Sequence, residues 1–166
     1  MESDVQVLVL FSNPDDTSRL RLDKEHRAIA KVLDELRLSP GIVQRLHAVT
    51  LKDALEAMRT LHAEIIQFSG HGSDDGIYLD RSDHLGSELV NAERLSSLIK
   101  TAASPPRALI LLSCFSSSAV GSLGTVAPYL ITLIGEANDG ACAEFAAAFY
   151  RTGSSTANRG PHTIAR

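Results

Sequence analysis

Glu64-Ile65-Ile66-Gln67-Phe68-Ser69-Gly70-His71-Gly72 is a near-continuous apolar run that stops at a glycine and then presents a histidine. A run of this length, closed by a Gly-rich turn, reads as a short buried strand over about residues 63–69. A second run of the same kind, Ala108-Leu109-Ile110-Leu111-Leu112-Ser113-Cys114, covers about residues 107–113 as a strand and delivers a cysteine at its end. Strands buried on both faces belong to parallel sheets covered by helices. If these two lie side by side and parallel, His71 and Cys114 emerge at one edge of the sheet.

Outward from this pair, the chain alternates strand and helix. Val5–Phe11 is a β-branched run stopped by Ser12-Asn13-Pro14-Asp15. From about Arg21 to Leu38 the residues Leu22, Ala28, Ile29, Val32, Leu33 and Leu36 recur at helical spacing, and Pro40-Gly41 ends the helix. Ile42–Val49 alternates as a less buried strand. Thr50 caps the next helix, with Asp53 as its capping-box partner. Gly76–Asp80 and Gly86–Val90 read as a small β-hairpin, and Asn91 caps a helix that Ser104-Pro105-Pro106 breaks. The small-residue stretch Phe115–Gly124 reads as a short helix or a loop. Tyr129–Gly135 is a further strand, and Asn138 or Asp139 starts a last helix through Tyr150.

Strands alternating with helices predict an α/β fold: a three-layer sandwich, a mostly parallel sheet with helices on both faces and a small hairpin insertion. Right-handed crossovers bring the strand C-termini to one edge, where sites form in open α/β sheets. The expected division is one domain over residues 1–152, with one core, and an irregular tail over 153–166.

Composition narrows the function classes. The 166 residues are 44% apolar, carry a net charge of -4 and have a pI of about 5.8. There is no basic cluster interleaved with aromatics, which argues against direct nucleic-acid binding. Arg19, Arg21 and Lys24 are offset by Asp15, Asp16, Asp23 and Glu25 and read as a solvated helix start. No apolar run approaches the ~20 residues of a membrane span, and the acidic Met1-Glu2-Ser3-Asp4 is unlike a leader, so a soluble cytoplasmic protein with no membrane partner is expected. The two cysteines form neither a disulfide framework nor a paired zinc motif. Cys142 reads as inert packing in the last helix. No metal or other cofactor is expected. His26 reads as solvated, His47 and His62 have no nameable partner, and His84 reads as a surface residue. Walker, GxGxxG and GxSxG motifs are absent.

A thiol beside an imidazole is the minimal machinery of a cysteine nucleophile. A free thiol, with a pKa near ~8.5, is mostly protonated at neutral pH. His71 would take that proton, and the thiolate of Cys114 would attack a carbonyl carbon. The resulting oxyanion needs preorganised donors, for which the backbone N–H groups of Gly72 and Cys114 are the candidates. His71 would then protonate the leaving amine. A serine among Ser116, Ser117 and Ser118 is an alternative nucleophile.

At Phe68-Ser69-Gly70-His71-Gly72 and Leu111-Leu112-Ser113-Cys114-Phe115-Ser116 the chain resembles the CHAT-domain proteases, relatives of caspases, metacaspases and separase. The resemblance extends over about residues 4–152. It includes Phe11-Ser12-Asn13-Pro14, the segment Thr17–Asp23 with Glu25, then Ile134-Gly135-Glu136, Asp139 and Phe149-Tyr150. Ser113 stands where the family often has Ala or Asp. The resemblance implies a caspase-like sandwich and a cysteine endopeptidase, with His71 as general base and Cys114 as nucleophile. It implies hydrolysis of protein or peptide substrates through an acyl-enzyme, without a metal. It further implies a regulated effector of bacterial antiviral defence or cell death, switched on by a sensor protein or a nucleotide signal. Among the acidic residues near such a site, Asp74, Asp75, Glu136 and Asp139 are candidates to bind an Arg or Lys side chain of the substrate. Two other readings stay open. One is a catalytically silent caspase-like module that binds a partner or a nucleotide signal through the same edge. The other is a flavodoxin-like or receiver-like signalling module, which the missing phosphate loop disfavours.

Overall fold

The computed structural model of the protein describes residues 6–83, 86–114, 120–133 and 138–157, with the backbone alone at Pro40, at Cys114 and at 153–157. Five strands form a parallel sheet in the order β2-β1-β3-β7-β8: β1 (Val7–Ser12), β2 (Val43–Leu46), β3 (Ile65–Gly70), β7 (Ala108–Cys114) and β8 (Tyr129–Leu133). Three short antiparallel strands stand beside it: β4 (Gly72–Ser73), β5 (Gly76–Asp80) and β6 (Ser87–Val90). The expected hairpin is therefore three-stranded. Gly72 and Ser73, just past His71, turn back to pair with Ile77 and Gly76.

The helices are α1 (Leu22–Glu35), α2 (Leu51–Thr60), α3 (Ala92–Ile99), α4 (Val120–Leu123) and α5 (Asp139–Ala157). A single turn of 3-10 helix, Pro40–Ile42, takes the start of the segment read as the second strand. Two of the caps read from the sequence are present. The Thr50 hydroxyl accepts from the Asp53 N–H while the Asp53 carboxylate accepts from the Thr50 N–H, and Asn91 Oδ1 accepts from the Arg94 N–H at 2.8 Å. Helix α5 does not end at Tyr150 as read from the sequence. It continues through Ala157, because extending a formed helix across Gly153 costs only about 1 kcal/mol and needs no new nucleus. Among the described residues, no helix is long and apolar enough to cross a membrane.

In place of one core there are two, one on each face of the sheet, because alternate strand residues point to opposite faces. Leu8, Leu10, Ile66, Phe68, Leu109 and Leu111 pack against α2, α3, α4 and the hairpin residues Ile77, Leu79 and Val90. Val7, Val9, Phe11, Ile110 and Leu112 pack against Ile29, Val32 and Leu33 of α1 and Cys142, Ala146 and Tyr150 of α5. The result is a three-layer α/β sandwich with the doubly wound strand order. Its crevice for a ligand is expected beyond the carboxyl ends of β1 and β3, where the direction of winding reverses.

Candidate functional site

The ladder between β3 and β7 runs parallel from Ile65 with Ala108 to Ser69 with Leu112. His71 and Cys114 each follow that last pair by two residues. Neighbouring strands lie about 4.8 Å apart, so the backbones of the two residues leave the sheet at one edge and at one level. The ladder from β7 to β8 is irregular between Leu111 and Cys114, so β7 leaves regular pairing just before the cysteine. The Cys114 side chain, Glu136 and the serines 116–118 lie outside the described residues, as does His84.

The segment after β1 wraps over this edge, and it is the segment that carries part of the resemblance. Gly70 is needed where it passes: a Cβ there would lie 2.4 Å from the Ser12 carbonyl oxygen. Asn13 closes the loop on itself, its Nδ2 donating to the Leu20 carbonyl at 3.1 Å and its Oδ1 accepting from the Leu20 N–H at 3.2 Å. Ser12 Oγ donates to Asp80 Oδ2 at 2.7 Å, and Asp16 Oδ2 accepts from both the N–H and the hydroxyl of Ser87 at 3.0 Å, which ties the loop to the hairpin. At its far end the Arg21 N–H donates to Asp139 Oδ2 at 2.9 Å, which ties it to the start of α5.

This loop presents the Ser18 carbonyl to Nε2 of His71. A carbonyl oxygen only accepts, so Nε2 carries the ring hydrogen and Nδ1 of the neutral ring keeps its lone pair. The imidazole is thus oriented by a backbone group with the basic nitrogen left for a proton. The hydrogen bond from the Tyr78 N–H to the His71 carbonyl, 3.0 Å, fixes the backbone at the same residue.

The candidate substrate-binding carboxylates fall in different places. Asp74 and Asp75 form the exposed turn between β4 and β5, where the Asp75 N–H donates to Ser73 Oγ at 3.2 Å, and among the described residues the two small cavities beside His71 are bordered by other residues. Asp139 borders one of these, of about 40 Å³, together with Arg21, Glu25, His71, Gly72 and Cys142. Cys142 is buried, as expected of a packing thiol, yet it sits on the wall of the same cavity as His71.

Beneath that cavity is a polar cluster that the reading of residues 15–25 as a solvated helix start missed. Glu25 is only 2% exposed. Its Oε1 accepts from Gln67 Nε2 at 2.6 Å and from Ser69 Oγ at 2.6 Å, and Tyr150 OH donates to Gln67 Oε1. Burial pushes the Glu25 carboxyl up to about 7. The hydrogen bonds from Ser69 and Gln67 oppose the rise, and the Asp139 charge adds to it. Burial, with the neighbouring Glu25 charge, raises Tyr150 as well. One signal could have found the cluster. Glu25, Gln67, Ser69 and Tyr150 all fall on the inward-facing positions of their elements, where a polar residue must find partners.

His26 and His47 are likewise joined and not left apart as the sequence suggested. His26 Nδ1 lies 2.7 Å from His47 Nε2, and both rings stack with Phe11. Burial, and then the Arg45 charge, lowers both; for His26 the His47 ring adds a smaller contribution. His47 borders a larger groove of about 690 Å³ at the carboxyl ends of β1 and β2, with Asn13, Arg19, Arg21 and Asp23. Among the described residues, no group of three His, Cys, Asp or Glu side chains is placed to hold a metal ion.

No protein-family model and no curated protein matches the chain. Among solved structures, a domain described as flavodoxin-like, from a Synechococcus sp. protein, superposes with a TM-score of 0.47 at 15% identity, over 91% of this chain and 99% of its own.

Proposed function

We propose that the chain is a cysteine endopeptidase working through a His71–Cys114 dyad. The observation that carries this reading is the parallel β3–β7 register, in which residues 71 and 114 follow the last pair by equal steps. The backbone-held tautomer of His71 supports it, because it leaves on Nδ1 the lone pair that a base must offer. In this reaction the Cys114 sulfur passes its proton to His71 Nδ1 and forms a bond to the scissile carbonyl carbon. The oxyanion is met by the N–H groups of Gly72 and Cys114. His71 returns the proton to the leaving nitrogen as the C–N bond breaks. Water, deprotonated by the same nitrogen, then hydrolyses the thioester. Asp139 is the substrate-facing carboxylate best supported by position, since it borders the cavity with His71. Together with the resemblance of residues 4–152 to CHAT-domain proteases, this gives a caspase-like effector in bacterial antiviral defence or cell death, activated by a sensor protein or nucleotide signal.

A second reading has its own observation: the groove beyond β1 and β2 lies near the edge where a doubly wound sheet binds ligands, and it offers Arg19, Arg21 and His47. On that reading the chain binds a partner or nucleotide signal and cleaves nothing. A peptide-library cleavage assay separates the two, run with candidate activators on the wild type, Cys114→Ala and His71→Ala. The protease reading expects cleavage by the wild type and a loss of about a thousandfold or more in each variant. Cleavage unchanged in Cys114→Ala would exclude the dyad.

A further inference from the structure

We propose that Glu25 is a positioning residue of the candidate site: its buried carboxyl holds the end of β3 through Ser69 and Gln67 and tunes His71 across the small cavity that both residues border. This rests on the dyad reading above. The geometry has three parts. Ser69 is the last residue but one of β3, two residues before His71, and its hydroxyl is held by Glu25 Oε1 at 2.6 Å. Gln67, two residues earlier again, bridges Glu25 on α1 to Tyr150 on α5. Glu25 and His71 then border one cavity of about 40 Å³.

A packing role alone would be met by an apolar side chain of the same size. Burying a carboxyl without a cation is costly, and neither partner of Glu25 is one: Gln67 and Ser69 are neutral donors. The titratable and charged groups around it are Arg21 at the end of the β1 loop, His71 at the end of β3, and Asp139, Cys142 and Tyr150 on α5. Asp139 opposes ionisation of Glu25. When Glu25 does ionise, its charge favours a protonated His71 and therefore the imidazolium–thiolate form of the dyad. Since burial brings the Glu25 carboxyl to about 7, that change falls where a hydrolase of this kind would work.

The test is the rate at which iodoacetamide labels Cys114, read peptide by peptide so that Cys142 is scored separately, between about pH 5 and pH 9. Wild type is compared with Glu25→Gln, which keeps an acceptor at Oε1 and never ionises, with Glu25→Ala and with His71→Ala. The rate advantage of wild type over His71→Ala is expected to rise through an inflection near neutrality. In Glu25→Gln that inflection is lost, and labelling above neutral pH falls by roughly 3- to 10-fold while remaining unchanged below about pH 5. Glu25→Ala is slower at every pH. An equal reduction at every pH in both variants would mean packing alone, and profiles that superimpose would mean no role; either overturns the proposal. If His71→Ala leaves Cys114 labelling untouched, the dyad reading falls by itself. The ring signals of His71 in an NMR titration then decide for Glu25. A step present in wild type and absent from Glu25→Gln sustains the coupling, and its absence from both ends it.

Discussion

β3 sends Gln67 and Ser69 into the layer under α1 and α5, whereas its parallel neighbour β7 sends Ile110 and Leu112 into that same layer. All four side chains are buried. On β3 the polar atoms are satisfied by Glu25 and Tyr150. On β7 the one polar atom before the cysteine, Ser113 Oγ, is buried without a hydrogen-bond partner among the described residues. The strand that leads into the histidine is therefore fixed by directed bonds, which set where a backbone sits and how it is turned. The strand that ends in the cysteine is fixed by apolar area, which is larger in energy but tolerant of small displacements. A base needs an oriented nitrogen. In the proposed dyad the cysteine follows the point, after Leu111, at which β7 loses regular register with β8.

The strongest way to break this comparison is on the apolar side. Leu111 is fully buried against the α2 and α3 layer. Leu111→Ala should cost about 2–5 kcal/mol, the transfer free energy of the lost methyl groups plus the cavity they leave. Urea unfolding should show a lower midpoint with an unchanged slope. A loss smaller than that of the polar substitutions on β3 would mean that β7 is not held by packing.

The polar side has the opposite pH signature from ordinary surface carboxylates. Folding raises Glu25 from 4.5 to about 7, so the folded protein holds this proton more tightly than the unfolded chain. The contribution to stability is complete below about pH 4.5 and is lost as pH rises through about 7. At pH above that window the loss is on the order of 3 kcal/mol, the linkage value for a shift of this size. Glu25→Gln never ionises and should unfold at a higher urea concentration than wild type in mildly alkaline buffer, with the difference closing in acid. A difference that stays constant with pH would show that the carboxyl does not titrate in the folded state.

How much of this could be read from the chain depends on what each feature needs. Strand and helix order followed from apolar periodicity, because burial on one face or two writes itself into spacing. The caps at Thr50 and Asn91 were legible because capping is a local event between residues three apart. The shared edge of His71 and Cys114 needed only the assumption that β3 and β7 are neighbours, and the ladder meets it. Glu25 was misread because its neighbours in sequence, Asp23, Lys24 and Arg27, are exposed charges, while its partners are 42 and 44 residues away on β3. The His26–His47 pair was invisible for the same reason, since two elements 21 residues apart must fold before the rings meet. Asp74 and Asp75 follow His71 closely in sequence and form the exposed turn between β4 and β5, where the chain reverses just after the histidine.

The finest contrast between the two strands uses one substitution twice. Ser69 and Ser113 are equally buried, at 2% exposure each, and stand near the ends of adjacent strands. Removing the Ser69 hydroxyl takes away one of the two donors to Glu25 Oε1 and leaves Gln67 alone to solvate a buried carboxyl. Ser69→Ala should therefore cost about 1–3 kcal/mol, more at alkaline than at acid pH because the charged form loses more. Ser113→Ala removes a hydroxyl whose desolvation is uncompensated among the described residues, so it should be neutral or slightly stabilising, within about 0.5 kcal/mol. Thermal or urea unfolding of the two variants side by side measures the difference directly. Equal losses would mean that Ser113 Oγ has a partner after all, and that the end of β7 is held by a directed bond just as the end of β3 is.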